Sequence, residues 1–508
     1  MLRHTLAAIS ALLLTGTAAL AETPRGAAAQ LDEFLDRFPD LGPGFAVVVV
    51  TPDDIIMNRT RGERRAATGA PMTSETPIYI ASQTKAYMGL LAAWLDAQGI
   101  LALDSRITDY WPDLQFPEGV DPADWTLRDL ISHQVPIEAE MITILEAYVL
   151  QVQASDYPAL IANYASAREP GFQYDNLGYN IYGAILETAT GRSWQDWLDQ
   201  VIFDPLGMDH TSARTSDFAL DELSWGHIWQ GEDVGWHEVR PKTDAIMQSA
   251  GGLVTSTDDM ATWLQLQLRG EAPAGSGITA AMLAEAQTSA VDTHQDDRRN
   301  AIELPCSGYA LGWNICDFEG HALYVHGGGY TGIRTMMAFA PDLGVGIATF
   351  SNSDNMTGWV TSRTVIQYLQ FLTGHEDAES WSEARPRLYP ERAAWLLDRR
   401  QDSLAEARAE ERWGGWSWQP SVTELAAYEG RWSTGDPYLD FDIALEDGQL
   451  VARWGDYTVM MMPASPDLFG GQTQPLGDLE AFRFSRDETG AVTGVVRDES
   501  SYRRVAGE

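Results

Sequence analysis

The sequence predicts an α/β protein in two units: an antiparallel sheet flanked by helices with an α-rich region inserted between its strands, then a small antiparallel β-barrel. Three observations carry this. Strand-type runs at 45–50 and 55–59 return only at 309–315, 322–326, 334–340 and 344–350, so strands from both ends of this portion must meet in one sheet. Between them, residues from Trp125 to about Leu268 show mainly helical spacing of apolar positions. Beyond Tyr428 short alternating segments return, with Asp447-Gly448 as a hairpin turn and Thr489-Gly490 as a second.

Length and charge agree with a large enclosed protein. At 508 residues the chain is long enough for more than one domain, and 44% hydrophobic with 21% charged residues leaves no case for disorder along its whole length. Asp and Glu number 73 against 34 Lys and Arg, a net charge of −39. Such a surface repels phosphate backbones and anionic headgroups, which excludes nucleic acid as a partner. Only Lys85 and Lys242 are lysines; every other basic residue is arginine.

Taken in order, residues 1–21 carry Arg3, an apolar run through Leu12, Leu13 and Leu14, and Ala19-Leu20-Ala21, the pattern of a cleaved secretory signal. The mature product is then expected to start at Glu22, with no stable membrane insertion and a periplasmic or secreted location. The 45–50 and 55–59 runs form a hairpin through Pro52-Asp53-Asp54. Ser82 opens a helix in which Met88, Leu90, Leu91, Trp94 and Leu95 recur at helical spacing, closed by Gly99. From Gly374 the chain turns charged, and Pro390 begins a helix reaching about Arg412. Residues 374–420 thus read as an open connector between a 22–373 unit and a 421–508 β-unit. Cys306 and Cys316 are the only cysteines; ten residues of straight strand would hold them roughly 33 Å apart, so pairing requires the chain before Tyr309 to fold back, and both outcomes stay open.

There is no Gly-x-Ser-x-Gly elbow, His-Glu-x-x-His pair or phosphate-binding loop, and two cysteines are too few for a zinc site. What remains is Ser82-Gln83-Thr84-Lys85. Three residues apart, both side chains face one side of a helix, so the amine sits beside the hydroxyl at the positive end of the helix dipole. A buried Lys85 would lose solvation, its pKa would fall, and it could take the serine proton.

Several further segments then resemble, in order, those of the serine β-lactamase-like hydrolases: class C β-lactamases, D-alanyl-D-alanine peptidases, D-aminopeptidases and related esterases. They are Pro77-Ile78-Tyr79-Ile80-Ala81 leading into Ser82, then Tyr174-Asp175-Asn176, then Ala250-Gly251-Gly252-Leu253, and His326-Gly327-Gly328 just before Tyr330-Thr331-Gly332. The resemblance implies Ser82 as nucleophile, with Lys85 and Tyr174 as base and proton relay, the phenol pKa of Tyr174 being lowered by the nearby lysine. It further implies that Asn176 holds Lys85 and a substrate carbonyl. His326 would point from an edge strand into the cleft, Gly327 and Gly328 would let substrate lie against that strand, and the oxyanion hole would be the N–H groups of Ser82 and Gly329. Leu425 to Trp432 resembles the start of the lipocalin-like barrels appended to some members. That barrel would either shape the cleft entrance or simply be filled by its own side chains.

The implied activity is that of an exported serine hydrolase working through an acyl-enzyme on small peptides or amides, D-residue-containing ones included, without metal or organic cofactor. Carboxylic esters come second and β-lactams third, because His326 stands where β-lactamases carry a lysine. A non-catalytic penicillin-sensing or scaffold protein is the rival of another class. Two departures stand out. Leu130-Ile131-Ser132-His133-Gln134-Val135-Pro136-Ile137 differs from the usual Leu-x-x-His-Thr-Ser-Gly-Leu, and Lys242-Thr243-Asp244 is a decoy for Lys-Thr-Gly whose lysine reads as surface charge.

Overall fold

In the strand Gly44–Val50 every residue is buried, because both faces of the strand are covered. Ala46, Val48 and Val50 enter one core while Phe45, Val47 and Val49 enter another, which is why its sequence is a continuous apolar run rather than an alternation. The computed structural model describes residues 22–39, 41–295, 304–497 and 499–505; the expected signal at 1–21 lies outside them.

This strand belongs to a nine-stranded sheet in the order Val291–Gln295, Cys306–Tyr309, Asn314–Phe318, His321–Tyr330, Ile333–Ala340, Val345–Ser351, Gly44–Val50, Ile55–Arg65, Ala70–Pro71. The early and late strands meet with Phe45 opposite Ser351 and Val50 opposite Gly346, antiparallel as expected. Helices Pro24–Asp36 and Gly358–Thr373 cover one face through Leu31, Phe34, Val365 and Tyr368. The other face is covered by Thr84–Ala97, Thr257–Arg269 and the inserted α-rich region.

Two expectations are corrected here. The single strand at 309–315 is two strands, Cys306–Tyr309 and Asn314–Phe318, joined by a turn at 310–313 closed by the Ala310 N–H to Trp313 carbonyl bond of 2.8 Å. Leu311 and Trp313 are fully buried in that turn because it packs under the helix that carries Lys85: a Cβ on Gly312, at φ +91°, would stand 2.3 Å from the Lys85 carbonyl. The apolar sequence therefore serves a buried turn. Its fold-back puts Cys306 opposite Cys316, Cα atoms 3.8 Å apart, and the two form a disulfide.

The second concerns 374–420. The helix there begins at Ala378 rather than Pro390, runs to Ala409, and contains both Pro386 and Pro390. Ala378, Ser382, Pro386, Tyr389 and Ala393 form one buried stripe, and Tyr389 meets Phe38 at 5.5 Å and Trp359 at 6.0 Å. That packing outweighs the hydrogen bonds the prolines forgo. The first half of the connector is thus docked on the sheet unit rather than open.

The C-terminal strands from Gly430 to Arg504 close into an eight-stranded barrel. The turn at Asp447-Gly448 joins Phe441–Glu446 to Gln449–Trp454 with both residues at positive φ, as a tight hairpin requires. Trp432, Phe441, Phe469, Phe482 and Phe484 are buried and meet ring to ring, so the barrel is filled by its own side chains.

Candidate active site

Ser82 lies in a short 3₁₀ turn, Ala81–Gln83, and the α-helix proper starts at Thr84 rather than at the serine. Ala81 takes φ +46°, a strained conformation for a residue with a Cβ, and Thr84 Oγ1 braces the turn by donating to the Ala81 carbonyl at 2.7 Å. Lys85 follows in the first helical turn, fully buried. Its Nζ lies 3.2 Å from Ser82 Oγ, 2.7 Å from Asn176 Oδ1 and 2.8 Å from the Ala250 carbonyl. Burial lowers its pKa to about 7, against the pull of Asp175 in the other direction. A neutral amine has two N–H bonds and one lone pair. Asn176 Oδ1 and the Ala250 carbonyl accept both hydrogens, which leaves the lone pair for Ser82.

Tyr174, Asp175 and Asn176 precede the helix Leu177–Thr190. Asp175 caps that helix, accepting from the Gly178 N–H at 3.0 Å, which frees the Asn176 side chain for Lys85. The Tyr174 ring is 40% exposed in the cleft wall, 4.9 Å from Lys85 Nζ, and its hydroxyl faces Ser82. The nearby lysine does not bring its pKa down: desolvation of the hydroxyl raises it, and Ser82 opposes only part of the rise. Tyr174 is therefore a neutral phenol that donates.

His326 is buried, and its strand is not at the sheet edge. His321–Tyr330 lies between two neighbours, but pairing with Asn314–Phe318 stops at Val325, so His326 and the glycines after it are unpaired on that side only. His326 Nδ1 donates to the Gly327 carbonyl at 2.7 Å, and burial together with Lys85 lowers its pKa to about 3. Gly328 serves packing more than substrate clearance: a Cβ there would stand 2.1 Å from the Ile80 carbonyl, so only glycine lets this strand close on the turn that holds Ser82.

Ser82, Tyr174, His326, Gly328 and Gly329 line one cleft of about 910 Å³, and Asn176 reaches it through Lys85. Lys242 is elsewhere and is not surface charge. It is buried, donates to the Thr243 carbonyl at 3.1 Å and lies 5.9 Å from the Tyr79 ring, and burial lowers its pKa to about 8.

Sequence reasoning passed over three groups of residues. His133, in the departing loop, is buried behind Tyr174 at 4.7 Å between rings and accepts the Asp175 N–H at Nδ1, 3.3 Å away. Glu146, the one acid in an otherwise apolar run from Met141 to Leu150, is buried against Asn180 and Tyr157. Arg334, Arg363 and Arg392 line the same cleft with Asp354, and nothing in their local sequence set them apart from the other arginines.

A Beta-lactamase family model matches residues 31–368. The chain is similar to an unguisins hydrolase of Aspergillus violaceofuscus, 24% identical over 81% of this chain and 75% of that protein. Its fold is that of an octameric penicillin-binding protein homologue from Pyrococcus abyssi, with a TM-score of 0.58 at 20% identity over 94% of this chain and 99% of the other. D-amino acid amidase from Ochrobactrum anthropi SV3 matches with a TM-score of 0.57 at 20% identity, over 70% of this chain and 99% of that one. With the family match spanning most of the chain, and a large antiparallel sheet flanked by helices beneath it, this protein belongs to the Beta-lactamase family.

Proposed function

We propose that the protein is an exported serine hydrolase that cleaves small peptides or amides, D-residue-containing ones included, through an acyl-enzyme on Ser82. The observation that carries this is the Lys85 amine, 3.2 Å from Ser82 Oγ with both of its N–H bonds directed to acceptors. In the first step Lys85 takes the Ser82 proton as Oγ attacks the carbonyl carbon, and the resulting oxyanion is held by the N–H groups of Ser82 and Gly329. Tyr174 then gives its proton to the leaving nitrogen, and Lys85 restores it. Water repeats the sequence on the acyl-enzyme. Asn176 keeps Lys85 aligned and offers its amide to the substrate carbonyl. Similarity to a D-amino acid amidase supports amide cleavage, and similarity to an unguisins hydrolase supports hydrolysis. Among the described residues no helix is long and apolar enough to cross a membrane, and export rests on the 1–21 signal pattern.

The cleft favours one refinement. A neutral His326 gives no cation beside the nucleophile, but Arg334, Arg363 and Arg392 line the cleft of a chain whose net charge is −39, against the single acid Asp354. Substrates with a carboxylate away from the scissile bond fit that wall. A panel of D-amino-acid amides, amides extended by an acidic residue, p-nitrophenyl esters and a chromogenic cephalosporin tests the reading. Amides should have the highest kcat/KM, with the acidic ones ahead. Faster turnover of the cephalosporin than of any amide or ester would contradict it.

A further inference from the structure

We propose that the C-terminal barrel is a working part of the active-site scaffold: the tip of one of its hairpins, Gly455-Asp456, pins the segment from which Glu146 positions Lys85. This rests on reading Lys85 as the base.

Glu146 sits in a π-helical turn, Leu145–Val149, and is 1% exposed. It grips the segment that holds Lys85 at two points. Its backbone carbonyl accepts from the Met247 N–H at 2.7 Å, where Met247 takes φ +66° and Gln248 φ +34°. Its carboxyl oxygen Oε2 accepts from Asn180 Nδ2 at 2.7 Å, Asn180 Oδ1 in turn accepts the Ala250 N–H at 2.8 Å, and the Ala250 carbonyl is the acceptor for Lys85 Nζ at 2.8 Å. Tyr157 occupies the other carboxyl oxygen. Two consecutive left-handed residues are costly in a chain with Cβ atoms, and both grips help the 247–250 turn keep its shape, beside the Ser249 bond to the Tyr179 carbonyl at 2.9 Å and the Gln248 bond to the Ala245 carbonyl at 2.6 Å. Glu146 touches neither Ser82 nor the cleft. It is a positioning residue.

The barrel holds this turn in place. The Asp456 N–H donates to the Val149 carbonyl at 2.7 Å, and Thr243 donates to the Asp456 carboxylate, so one barrel residue is bonded to both segments that Glu146 ties together. Gly455 lies so close that a Cβ would stand 2.2 Å from the Val149 carbonyl. Tyr148 of the same turn stacks on Tyr330 at 5.5 Å and meets Tyr457 of the barrel at 6.3 Å, and Tyr330 donates to the Ala147 carbonyl at 3.1 Å. The strand that carries His326 and the barrel thus clasp one turn from two sides.

The test uses the full-length protein and a fluorophosphonate that labels Ser82, so that no substrate need be known, with the labelling rate followed against pH. Loss of the Ala250 acceptor removes a partner of the charged amine, so the Lys85 pKa falls and the acid limb moves to lower pH, while misalignment of the base lowers the plateau rate. Asp175, His133, Tyr174, Tyr179 and His326 also face Lys85 and are untouched in these variants, whereas Glu146, whose carboxyl burial pushes up to about 8, is removed as a titrating group in both of its variants and kept in the hairpin-contact ones. Glu146→Leu, Gly455→Ala, whose added Cβ forces the hairpin tip off the Val149 carbonyl, and Thr243→Val should each slow labelling, the first by about ten-fold or more. All three should shift the limb the same way, and Glu146→Gln, whose amide oxygen still accepts from Asn180 and whose amide nitrogen can donate to the Tyr157 oxygen in place of the bond Tyr157 now donates, should restore most of the rate. Should Glu146→Leu fail to fold, the two hairpin-contact variants still decide. Parental rate and limb in folded Gly455→Ala and Thr243→Val overturn the proposal alone. A parental rate in Lys85→Ala overturns the assignment of the base, and this proposal with it.

Discussion

An amine that must accept a proton near neutrality needs a dry setting and nothing that stabilises its charge too well, and Lys85 has both. Burial brings its pKa to about 7. The amine must be neutral to act, so activity should rise with pH through about 7 and fall away below it. His326, with its pKa lowered to about 3, is already neutral over that range and contributes no limb. A kcat/KM profile should therefore keep its acid limb in His326→Gln. Loss of the limb in that variant would return the titration to the histidine. Tyr174 faces Ser82 beside the same amine, and in the proposed mechanism the two act as one proton-transfer unit. Lys85→Ala and Tyr174→Phe should each cost roughly 100-fold or more in kcat, and the double variant far less than the product. Strictly multiplicative losses would mean that they work separately.

At the scale of elements, the candidate site residues were legible because their types and order are demanding. Ser82, Lys85, Tyr174, Asn176 and His326 could be named from the sequence, and their side chains or backbone converge on one cleft. What misled was apolar sequence outside regular elements. The run around Leu311 to Trp313 has the composition of a strand, yet it forms a turn because the helix of Lys85 rests on it, a contact distant in sequence. Pro390 similarly reads as a helix start, since no local rule registers the stripe from Ala378 to Ala393 that carries the helix through it. The Cys306–Cys316 disulfide closes the two strands on either side of the buried turn. Replacing both cysteines by serine should lower stability by about 2–3 kcal/mol in a urea titration, while Ser82 remains reactive. Unchanged stability would show that the strand pairing holds the turn without the bond.

For the whole molecule, a net charge of −39 sets a field that salt screens. Self-repulsion weakens as the Debye length shortens, so the melting temperature should rise from low salt to about 0.5 M NaCl, and a fall would contradict this. The barrel was legible as a fold from its hairpin turns, but its contact with Val149 and Thr243 was not, because it joins residues hundreds of positions apart through one backbone bond and one Thr–Asp side-chain bond that no local pattern marks. If Ser82 is the one activated nucleophile of this protein, treatment with an active-site fluorophosphonate followed by peptide mass spectrometry should find one adduct, on the peptide containing Ser82, absent in Ser82→Ala and slowed in Lys85→Ala. An adduct on any other peptide, or full hydrolytic activity in Ser82→Ala, would contradict it.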